Sequence, residues 1–272
     1  MVYRKYSTKK MIGEVQGFNF GIGIFRPPVM TAWCYYIDGL LIDTGIGNLR
    51  QTAFELIVDY KPDKIALTHH HEDHSGNAAI ISKALNIPVY GHSYTQKKLK
   101  SHCPIMLYQH LLWGKSEPVD ITMFNGNIET NNHKFIPVHT PGHAKDHTVF
   151  IEENKGWLFS GDLYLGNKIK FFRKDEVFAD QIASLKKILQ YDFDTIYCAH
   201  NPQLSNGRNC IKEKLDFLEN FGGIILELHN QGLSEKEILK SIDKGNDTLI
   251  KIITMKNASF ENMVRSVIKS MT

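Results

Sequence analysis

Four histidines and two carboxylates occupy residues 69–74 of this 272-residue chain, directly after a short apolar run that is typical of a buried strand. His69 and His71 are two residues apart, so their side chains point to the same side of an extended chain and could share one metal ion. Asp73 and His74 are adjacent and must diverge, which favours a second ion nearby. The alternative for the whole stretch is a solvated charged loop.

Three further candidate ligands stand at or close to the ends of three other predicted strands. His143 lies in a turn shortly after one strand, Asp162 follows another, and His200 ends a third. Ligands near the carboxyl ends of sheet strands converge in one crevice. A merely solvated loop does not account for candidate ligands at three distant strand ends, so the pattern favours a metal site. Imidazole and carboxylate donors without thiolate favour zinc, iron or manganese over copper or a structural zinc site.

Strands and helices alternate around these residues. Short apolar or alternating runs bounded by turn residues predict strands at 33–37, 40–42, 64–67, 87–90, 135–139, 148–151, 157–159 and 195–198. Helical spacing of apolar residues predicts helices near 54–57, at 78–85 and at 182–189. Asp38-Gly39 favours a tight hairpin turn between the first two strands, because this dipeptide tolerates positive φ.

Beyond Pro202 the pattern turns helical. A helix is predicted at 211–228 with Gly222-Gly223 as a candidate break, and an amphipathic segment at 260–268. Ser234 and Glu237 form a capping-box pattern, which predicts a further helix at 238–242. We therefore expect an α/β fold with a catalytic domain at residues 1–204 and a small helical C-terminal domain at 205–272, packed against the main body.

Composition and charge limit the classes of binding partner that we expect. A formal net charge of +3 is too small to argue for nucleic acid or a membrane. No stretch approaches the ~20 apolar residues of a membrane span, and the first residues lack an apolar segment of signal length. The four cysteines, which show no CxxC pairing, are Cys34, Cys103, Cys198 and Cys210. We expect a cytoplasmic protein with reduced thiols that acts on a small molecule, and a homodimer stays open.

Together these motifs resemble the metallo-β-lactamase superfamily. The resemblance covers roughly residues 15–202, and its motifs stand in the family's order. They are Asp43 after an early strand, the His-x-His-x-Asp-His run, His143 in a TPGH turn, Asp162 in SGD, and His200. The resemblance implies an αββα four-layer sandwich with two divalent metal ions at one edge, Zn²⁺ in the first place and Fe or Mn as alternatives.

The resemblance also implies a role for each candidate. The implied first metal site contains His69, His71 and His143, the second contains Asp73, His74 and His200, and Asp162 bridges them. Asp43 is similar to the early aspartate that orients a ligand histidine in the family, a role that suits a carboxylate at a strand end. His147 is expected to support a ligand or contact substrate, with a purely structural histidine as the equal alternative. His70 and Glu72 alternate with the ligands and should point away from the ions, either supporting a ligand or facing solvent.

Two divalent ions roughly 3.5 to 4 Å apart would hold a bridging water and lower its pKa toward ~7, so that hydroxide is the expected nucleophile. Asp73 is expected both to bind metal and to accept a proton from this water. Our leading hypothesis is hydrolysis of an ester, thioester or lactone of a small molecule, as in the glyoxalase II-like and lactonase-like members of the family.

Two other reaction classes stay open. The same ions can clamp a phosphoryl displacement, so a nuclease or phosphodiesterase acting on RNA or a nucleotide is the second hypothesis. The large domain that some family nucleases carry before the last histidine has no room between Asp162 and His200. An iron-dependent enzyme similar to persulfide dioxygenases is the third.

An apolar stretch at 106–113 lies in an insert between Ser93 and Asp120. It is a candidate wall of the substrate pocket, although a cap on the core or a dimer contact is at least as compatible with aromatic residues at helical spacing. Trp113 in this stretch and Tyr164 just beyond Asp162 are the candidate substrate contacts.

Overall fold

Seven strands form the first sheet of the computed structural model, which describes residues 3–24, 27–28, 30–102, 104–242 and 247–272; Cys103 lies outside these ranges. In chain order, which is also their order across the sheet, they are β1 (Tyr3–Ile12), β2 (Val15–Ile24), β3 (Ala32–Ile37), β4 (Leu40–Ile42), β5 (Lys64–Ala66), β6 (Val89–Gly91) and β7 (Thr122–Met123). Strands β1 to β4 pair antiparallel, and β4 to β7 pair parallel.

Five strands form the second sheet, in the order β13-β11-β10-β9-β8. They are β8 (Ile128–Glu129), β9 (Lys134–His139), β10 (Thr148–Glu152), β11 (Trp157–Gly161) and β13 (Thr195–Cys198). All pairs are antiparallel except β11 with β13. A separate small ribbon joins β12 (Phe172–Arg173) to β14 (Ala258–Ser259), and therefore connects the middle of the chain to its C-terminal part.

Ten helices complete the described elements. They are α1 (Arg50–Val58), α2 (Glu72–Ser75), α3 (Ala78–Leu85), α4 (Ser93–Leu99), α5 (Leu107–Leu112), α6 (Phe178–Ile188), α7 (Gly207–Asn230), α8 (Glu235–Ser241), α9 (Thr248–Ile253) and α10 (Phe260–Met271). A single 3₁₀ turn at Gly47–Leu49 precedes α1. Within the described ranges, no helix is both long and apolar enough to cross a membrane.

Strand alternation produces the four layers. On β3, Trp33 and Tyr35 face the second sheet, whereas Cys34 belongs to the cluster that packs the first sheet against α1 and α3. On β10, Phe150 faces the first sheet, whereas Val149 lies in the cluster on the opposite side. Because side chains alternate along a strand, each sheet buries both faces. The expected αββα sandwich is confirmed.

The C-terminal helices share the outer core of the second sheet. Val149 of β10 belongs to the same buried cluster as Leu185 of α6, Leu218 of α7 and Val264 of α10. The cluster is continuous across residue 205, so the helices pack on the main body as expected. The domain boundary at that residue stays a prediction.

Most of the predicted elements are confirmed, and two differences have physical reasons. The expected break at Gly222 is wrong, because α7 runs unbroken through it. A Cβ at Gly222 would lie 2.9 Å from Phe178 Cε1, so this glycine permits close helix packing. The long hairpin of β1 and β2 was not predicted. Its signal is the alternation of Phe18, Phe20 and Ile22, all buried against the first sheet's helices.

Candidate metal centre

The histidine-rich loop leaves β5 and turns into α2 within a few residues. His71 is extended, with φ −62° and ψ 152°, and α2 begins at the next residue. The extended part keeps His69 and His71 on one side, and the helical turn then separates Asp73 from His74. Except for the half-buried His70, every residue of the loop is buried. A solvated loop is therefore excluded.

Three imidazoles from this loop and from the turn after β9 face one point. His69 Nε2 lies 2.8 Å from His71 Nδ1, which in turn lies 3.1 Å from His143 Nε2. These three residues meet the spacing required of a metal-binding group. Because the contacts join ring nitrogens to ring nitrogens, a cation that accepts all three lone pairs satisfies them better than protons can.

A second group lies beside the first. His200 Nε2 is 3.4 Å from Asp73 Oδ2, and His74 Nε2 is 3.8 Å from the same oxygen. Asp73, His74 and His200 again meet the spacing of a metal-binding group. His200 comes from the chain after β13, so this group joins the two sheets across the edge of the sandwich.

Asp162 lies between the two groups. Its Oδ1 is 3.2 Å from His74 Nε2 and 3.3 Å from His200 Nε2, and its Oδ2 is 3.2 Å from His143 Nε2. Within the part of the chain that the structure describes, neither His74 Nε2 nor Asp162 Oδ1 has a partner that meets hydrogen-bond geometry, although both atoms are buried. Buried polar atoms without partners are costly, so their orientation toward a shared space fits divalent cations bound by nitrogen and carboxylate oxygen. The donor set therefore fits the implied pair of metal ions.

Buried side chains orient the loop ligands. Asp43 Oδ1 accepts a hydrogen bond of 2.8 Å from the Thr68 backbone N–H, and its Oδ2 accepts one of 2.8 Å from the Thr68 hydroxyl. The same Oδ2 lies 2.7 Å from His74 Nδ1. A proton on Nδ1 leaves the Nε2 lone pair of His74 facing the cluster. Asp43 adopts φ +58°, which turns its carboxylate under the loop immediately after β4.

The ligands of the second sheet rely more on backbone groups. His200 Nδ1 donates to the Thr31 carbonyl at 2.7 Å. The Asp162 backbone N–H donates to His147 Nε2 at 3.0 Å, and His147 Nδ1 is 2.9 Å from the Thr140 hydroxyl. Burial, followed by the charge of His143, lowers the pKa of His147 to about 3, so its ring is neutral and Nε2 can accept. His147 thus contacts the backbone of a candidate ligand.

Burial and neighbouring charge act together on the pKa of His69 but oppose each other on those of His74 and His200. Burial, followed by the charge of His74, lowers the pKa of His69 well below its usual value. Burial would also lower the pKa of His74 and His200, but the nearby carboxylates, Asp162 first among them, together outweigh it and raise both pKa values well above the usual value. A cation bound there would replace those protons as the partner of the carboxylate.

Among the residues that the structure describes, His70 and Glu72 belong to no group that meets the metal-binding spacing. Asp146, which is fully buried, accepts from the His70 backbone N–H at 2.9 Å and lies 2.8 Å from His70 Nδ1. Glu72 Oε2 accepts from Gln109 Nε2 of α5 at 3.0 Å. Glu72 is 6% exposed, so the solvated alternative is wrong for it. It ties the ligand loop to the insert instead.

The two candidate substrate contacts lie in different places. Tyr164 is 3% exposed, belongs to the outer core of the second sheet, and donates its hydroxyl proton to Asn167 Oδ1 at 2.6 Å. Trp113 is partly buried against the outer core of the first sheet. As substrate contacts both stay predictions.

Several residues of the site escaped the sequence prediction. Thr68 stands next to the histidine run, and only its contacts with Asp43, His69 and His74 reveal its role. Glu176 Oε1 lies 3.6 Å from His143 Nδ1 without any motif around it. Lys214 of α7 is fully buried and donates to the Leu163 carbonyl at 2.6 Å. Burial lowers its pKa to about 8.

The sequence is similar to those of known proteins. A sequence model described as the metallo-beta-lactamase superfamily matches residues 27–200. A hydroxyacylglutathione hydrolase of Serratia proteamaculans is 32% identical over 149 residues, which cover 53% of this chain and 50% of that protein. A beta-lactamase-like protein 2 homolog of Drosophila melanogaster is 28% identical over 218 residues, covering 77% of this chain and 66% of that protein.

The fold comparison agrees. A metallo-beta-lactamase family protein of Thermus thermophilus superposes with a TM-score of 0.55 at 19% identity, covering 82% of each chain. At such identity the likeness concerns the fold alone. The chain spans about half the length of the hydroxyacylglutathione hydrolase that it matches, at 50% of that protein.

Proposed function

Because this chain belongs to the metallo-β-lactamase superfamily, we propose that it is a metal-dependent hydrolase that cleaves an ester, thioester or lactone bond of a small molecule. The similarity to a hydroxyacylglutathione hydrolase supports acyl substrates. The substrate itself belongs to the proposal, as do the identity of the ions, with Zn²⁺ favoured over Fe or Mn, and their number, two.

The observation that carries the proposal is the position of Asp162. One carboxylate oxygen lies 3.2 Å from His74 Nε2 and the other 3.2 Å from His143 Nε2, so a single side chain faces both groups. We propose His69, His71 and His143 as ligands of one ion, Asp73, His74 and His200 as ligands of the other, and Asp162 as their bridge. Bound there, the ions would supply Lewis-acid polarisation of the scissile carbonyl and an activated water.

The surrounding residues have separate tasks in this proposal. Asp73 Oδ2 lies 3.4 Å from His200 Nε2 and is the proposed proton acceptor at the reacting edge. Asp43 holds the proton of His74 on Nδ1 and keeps Nε2 available. His147 fixes the backbone of Asp162 through its Nε2. Burial of all these groups excludes bulk water and strengthens their mutual interactions.

Metal content and substrate range test the proposal together. Purified protein incubated with Zn²⁺ should retain about two ions per chain by inductively coupled plasma mass spectrometry. It should hydrolyse an acyl thioester, a p-nitrophenyl ester or a lactone faster than bis(p-nitrophenyl) phosphate or RNA. The matched variants are Asp162→Ala, expected to lose metal and activity, and Asp180→Ala, at an exposed position of α6, expected to keep both.

The alternatives predict other results in the same experiment. Turnover of the phosphodiester or RNA alone would favour the nuclease or phosphodiesterase, and oxygen consumption on a persulfide with bound iron would favour the redox enzyme. A folded wild-type protein that takes up no divalent ion would overturn the proposal.

Location and assembly complete the proposal. Cys34, Cys198 and Cys210, the cysteines that the structure describes, are unpaired and buried, which supports a reducing compartment such as the cytoplasm. The homodimer and the division of the chain at residue 205 stay predictions. Size-exclusion chromatography with light scattering tests the first, and expression of residues 1–204 alone tests the second.

A further inference from the structure

His143 has a ring nitrogen that the candidate metal site does not use. Its Nε2 faces the ligand cluster, 3.1 Å from His71 Nδ1 and 3.2 Å from Asp162 Oδ2. Its Nδ1 is buried, and no residue that the structure describes makes a hydrogen bond to it. A neutral imidazole that binds a cation through Nε2 carries its proton on Nδ1. This N–H therefore needs an acceptor, because a buried donor without one is costly.

Glu176 places a carboxylate beside that nitrogen. Its Oε1 lies 3.6 Å from His143 Nδ1, which is an ion-pair distance but longer than a hydrogen bond. The two side chains are only 10% and 9% exposed, so little water competes for this contact. A shift of about half an ångström would give a hydrogen bond of ordinary length.

The carboxylate of Glu176 is held by neighbours in its own turn. Oε1 accepts from the Arg173 backbone N–H at 3.1 Å, and Oε2 accepts from the Gln181 side chain at 2.6 Å. A carboxylate oxygen accepts more than one hydrogen bond, so Oε1 can take a further donor. Because these contacts already order the side chain, accepting that donor costs little additional conformational entropy.

The turn that carries Glu176 also packs against the turn that carries His143. The Val177 backbone N–H donates to the carbonyl of Gly142, the residue directly before the ligand, at 2.8 Å. Gly142 has φ +132°, and a Cβ there would lie 2.5 Å from the Gln181 backbone nitrogen. Glycine therefore allows the first turn of α6 to approach the ligand turn closely. Backbone packing thus sets the distance between Glu176 and His143.

Helix α10, in the C-terminal part of the chain, holds the same turn. The Ser266 hydroxyl donates to the Glu176 carbonyl at 2.8 Å and accepts from the Phe178 backbone N–H at 2.9 Å. Ser270, one turn further along α10, accepts from the Ala179 backbone N–H at 3.1 Å. The pairing of β12 with β14 adds a second connection between the two parts of the chain. The C-terminal helices therefore reach a candidate ligand through Glu176.

We propose that Glu176 is a positioning residue of the metal centre, which accepts the Nδ1 proton of His143 and keeps Nε2 directed at the ion, while α10 holds Glu176 in place. The inference rests on the proposed function, because it requires a metal ion at His143. It deepens that function by giving the C-terminal helices a part in metal binding. A carboxylate on the second N–H of a ligand histidine fixes the ring and raises the basicity of the ligand nitrogen.

Zinc affinity, measured by competition with a chromogenic chelator, tests the proposal without turnover. Glu176→Ala should weaken the binding of at least one ion about tenfold, and Glu176→Gln, whose amide oxygen still accepts a proton, about threefold. Asp175→Asn removes the same charge at the exposed neighbouring position and is the matched control, expected to bind zinc as wild type does. Wild-type affinity in Glu176→Ala, or an equal loss in Asp175→Asn, would overturn the proposal.

Thermal unfolding separates positioning from a purely structural role. Zinc that binds the folded chain raises its Tm, and this increase should be smaller in Glu176→Ala and unchanged in Asp175→Asn. A purely structural role predicts a lower Tm of the metal-free protein with the full increase on adding zinc, and that result would contradict the proposal. If Glu176→Ala does not fold, the same comparison uses Glu176→Gln, and an undiminished increase overturns the proposal.

Two serine variants test the contribution of α10. Ser266→Ala removes the hydrogen bond to the Glu176 carbonyl and should weaken zinc binding about twofold to threefold. Ser270→Ala is the matched control, because it removes a similar contact with α6 one turn away, and it should keep the wild-type affinity. Equal affinities of the two variants would overturn the role of α10.

The two proposals fail in different ways. Zinc affinity that depends on Glu176, without hydrolysis of any acyl substrate, contradicts the proposed function and leaves the positioning role standing. Acyl hydrolysis by a protein whose zinc affinity is independent of Glu176 contradicts the positioning role and leaves the proposed function standing. A folded wild-type protein that binds no zinc overturns both.

Discussion

The two sheets contribute to the ligand cluster in different ways. The first sheet supplies four candidate ligands from one continuous loop, residues 69–74, after β5. The second sheet supplies His143, Asp162 and His200 from chain segments that follow three separate strands. The ligands of the loop are placed relative to one another by local backbone geometry, whereas the ligands of the second sheet depend on the pairing of strands distant in sequence.

The supporting contacts differ in the same way. Asp43 and Thr68 hold the loop through a buried network of side chains. In the second sheet, the Thr31 carbonyl holds His200 and the ring of His147 holds the backbone of Asp162. The comparison teaches that removing one side chain should disturb the loop ligands more than those of the second sheet, except at the bridging carboxylate.

The largest effect is expected at Asp162, which faces candidate ligands from both sheets. Asp162→Ala removes the oxygens that face His74, His143 and His200, so affinity for both ions and the hydrolytic rate should fall roughly a hundredfold or more. Metal analysis and steady-state kinetics measure this. Retention of two ions with normal turnover would show that the ligands of the two sheets bind metal independently of Asp162.

A smaller loss is expected at Asp43. Asp43→Ala removes the acceptor of His74 Nδ1 and of two Thr68 donors, so metal affinity should fall about tenfold to a hundredfold. Competition with a chromogenic chelator measures the affinity. Asp59→Ala, at an exposed position directly after α1, is the control and should leave the metal affinity unchanged.

His147 tests how strongly the ligands of the second sheet depend on a supporting side chain. His147→Ala removes the acceptor of the Asp162 backbone N–H, but Asp162 directly follows β11, whose pairing stays in place, so the loss of metal affinity should be about tenfold or less. The same competition assay applies. If His147→Ala proves as damaging as Asp43→Ala, the contrast between side-chain and backbone support is wrong.

The smallest effect is expected at His70, which lies in the ligand loop but faces Asp146. His70→Ala should keep roughly a tenth of the rate or more, because it removes only a contact that supports the loop. The ratio of its kcat/KM to that of wild type measures this. A loss as large as that of Asp162→Ala would place His70 among the ligands.

Much of this architecture was predictable because it depends on neighbours in sequence. Short apolar runs predict β3, β4 and β10, and Asp38-Gly39 predicts the turn that the structure shows with φ +46° and +84°. Ser234 and Glu237 form the expected capping box. In each case the decisive interactions span only a few residues.

The other features depend on contacts between distant segments. Residues 3–24 form a hairpin whose first strand is largely exposed, so alternation alone is a weak signal there. Gly222 looks like a break until Phe178 is found against it. Arg173 has no motif around it, and only the structure shows that its short strand pairs with the C-terminal segment at Ala258.

By itself the sequence determined which residue types are available for metal binding and which strands carry them, because residue chemistry and periodicity are local properties. Only the tertiary structure decided that Asp162 faces both groups, that Thr68 and Asp43 orient His74, and that a C-terminal strand fixes Arg173. The position of Asp162 follows from the packing of the two sheets face to face, and the β12–β14 ribbon fixes Arg173. The pairing of β4 with β5 brings Asp43 and His74, 31 positions apart, within a hydrogen bond of 2.7 Å, and no local pattern encodes such a distance.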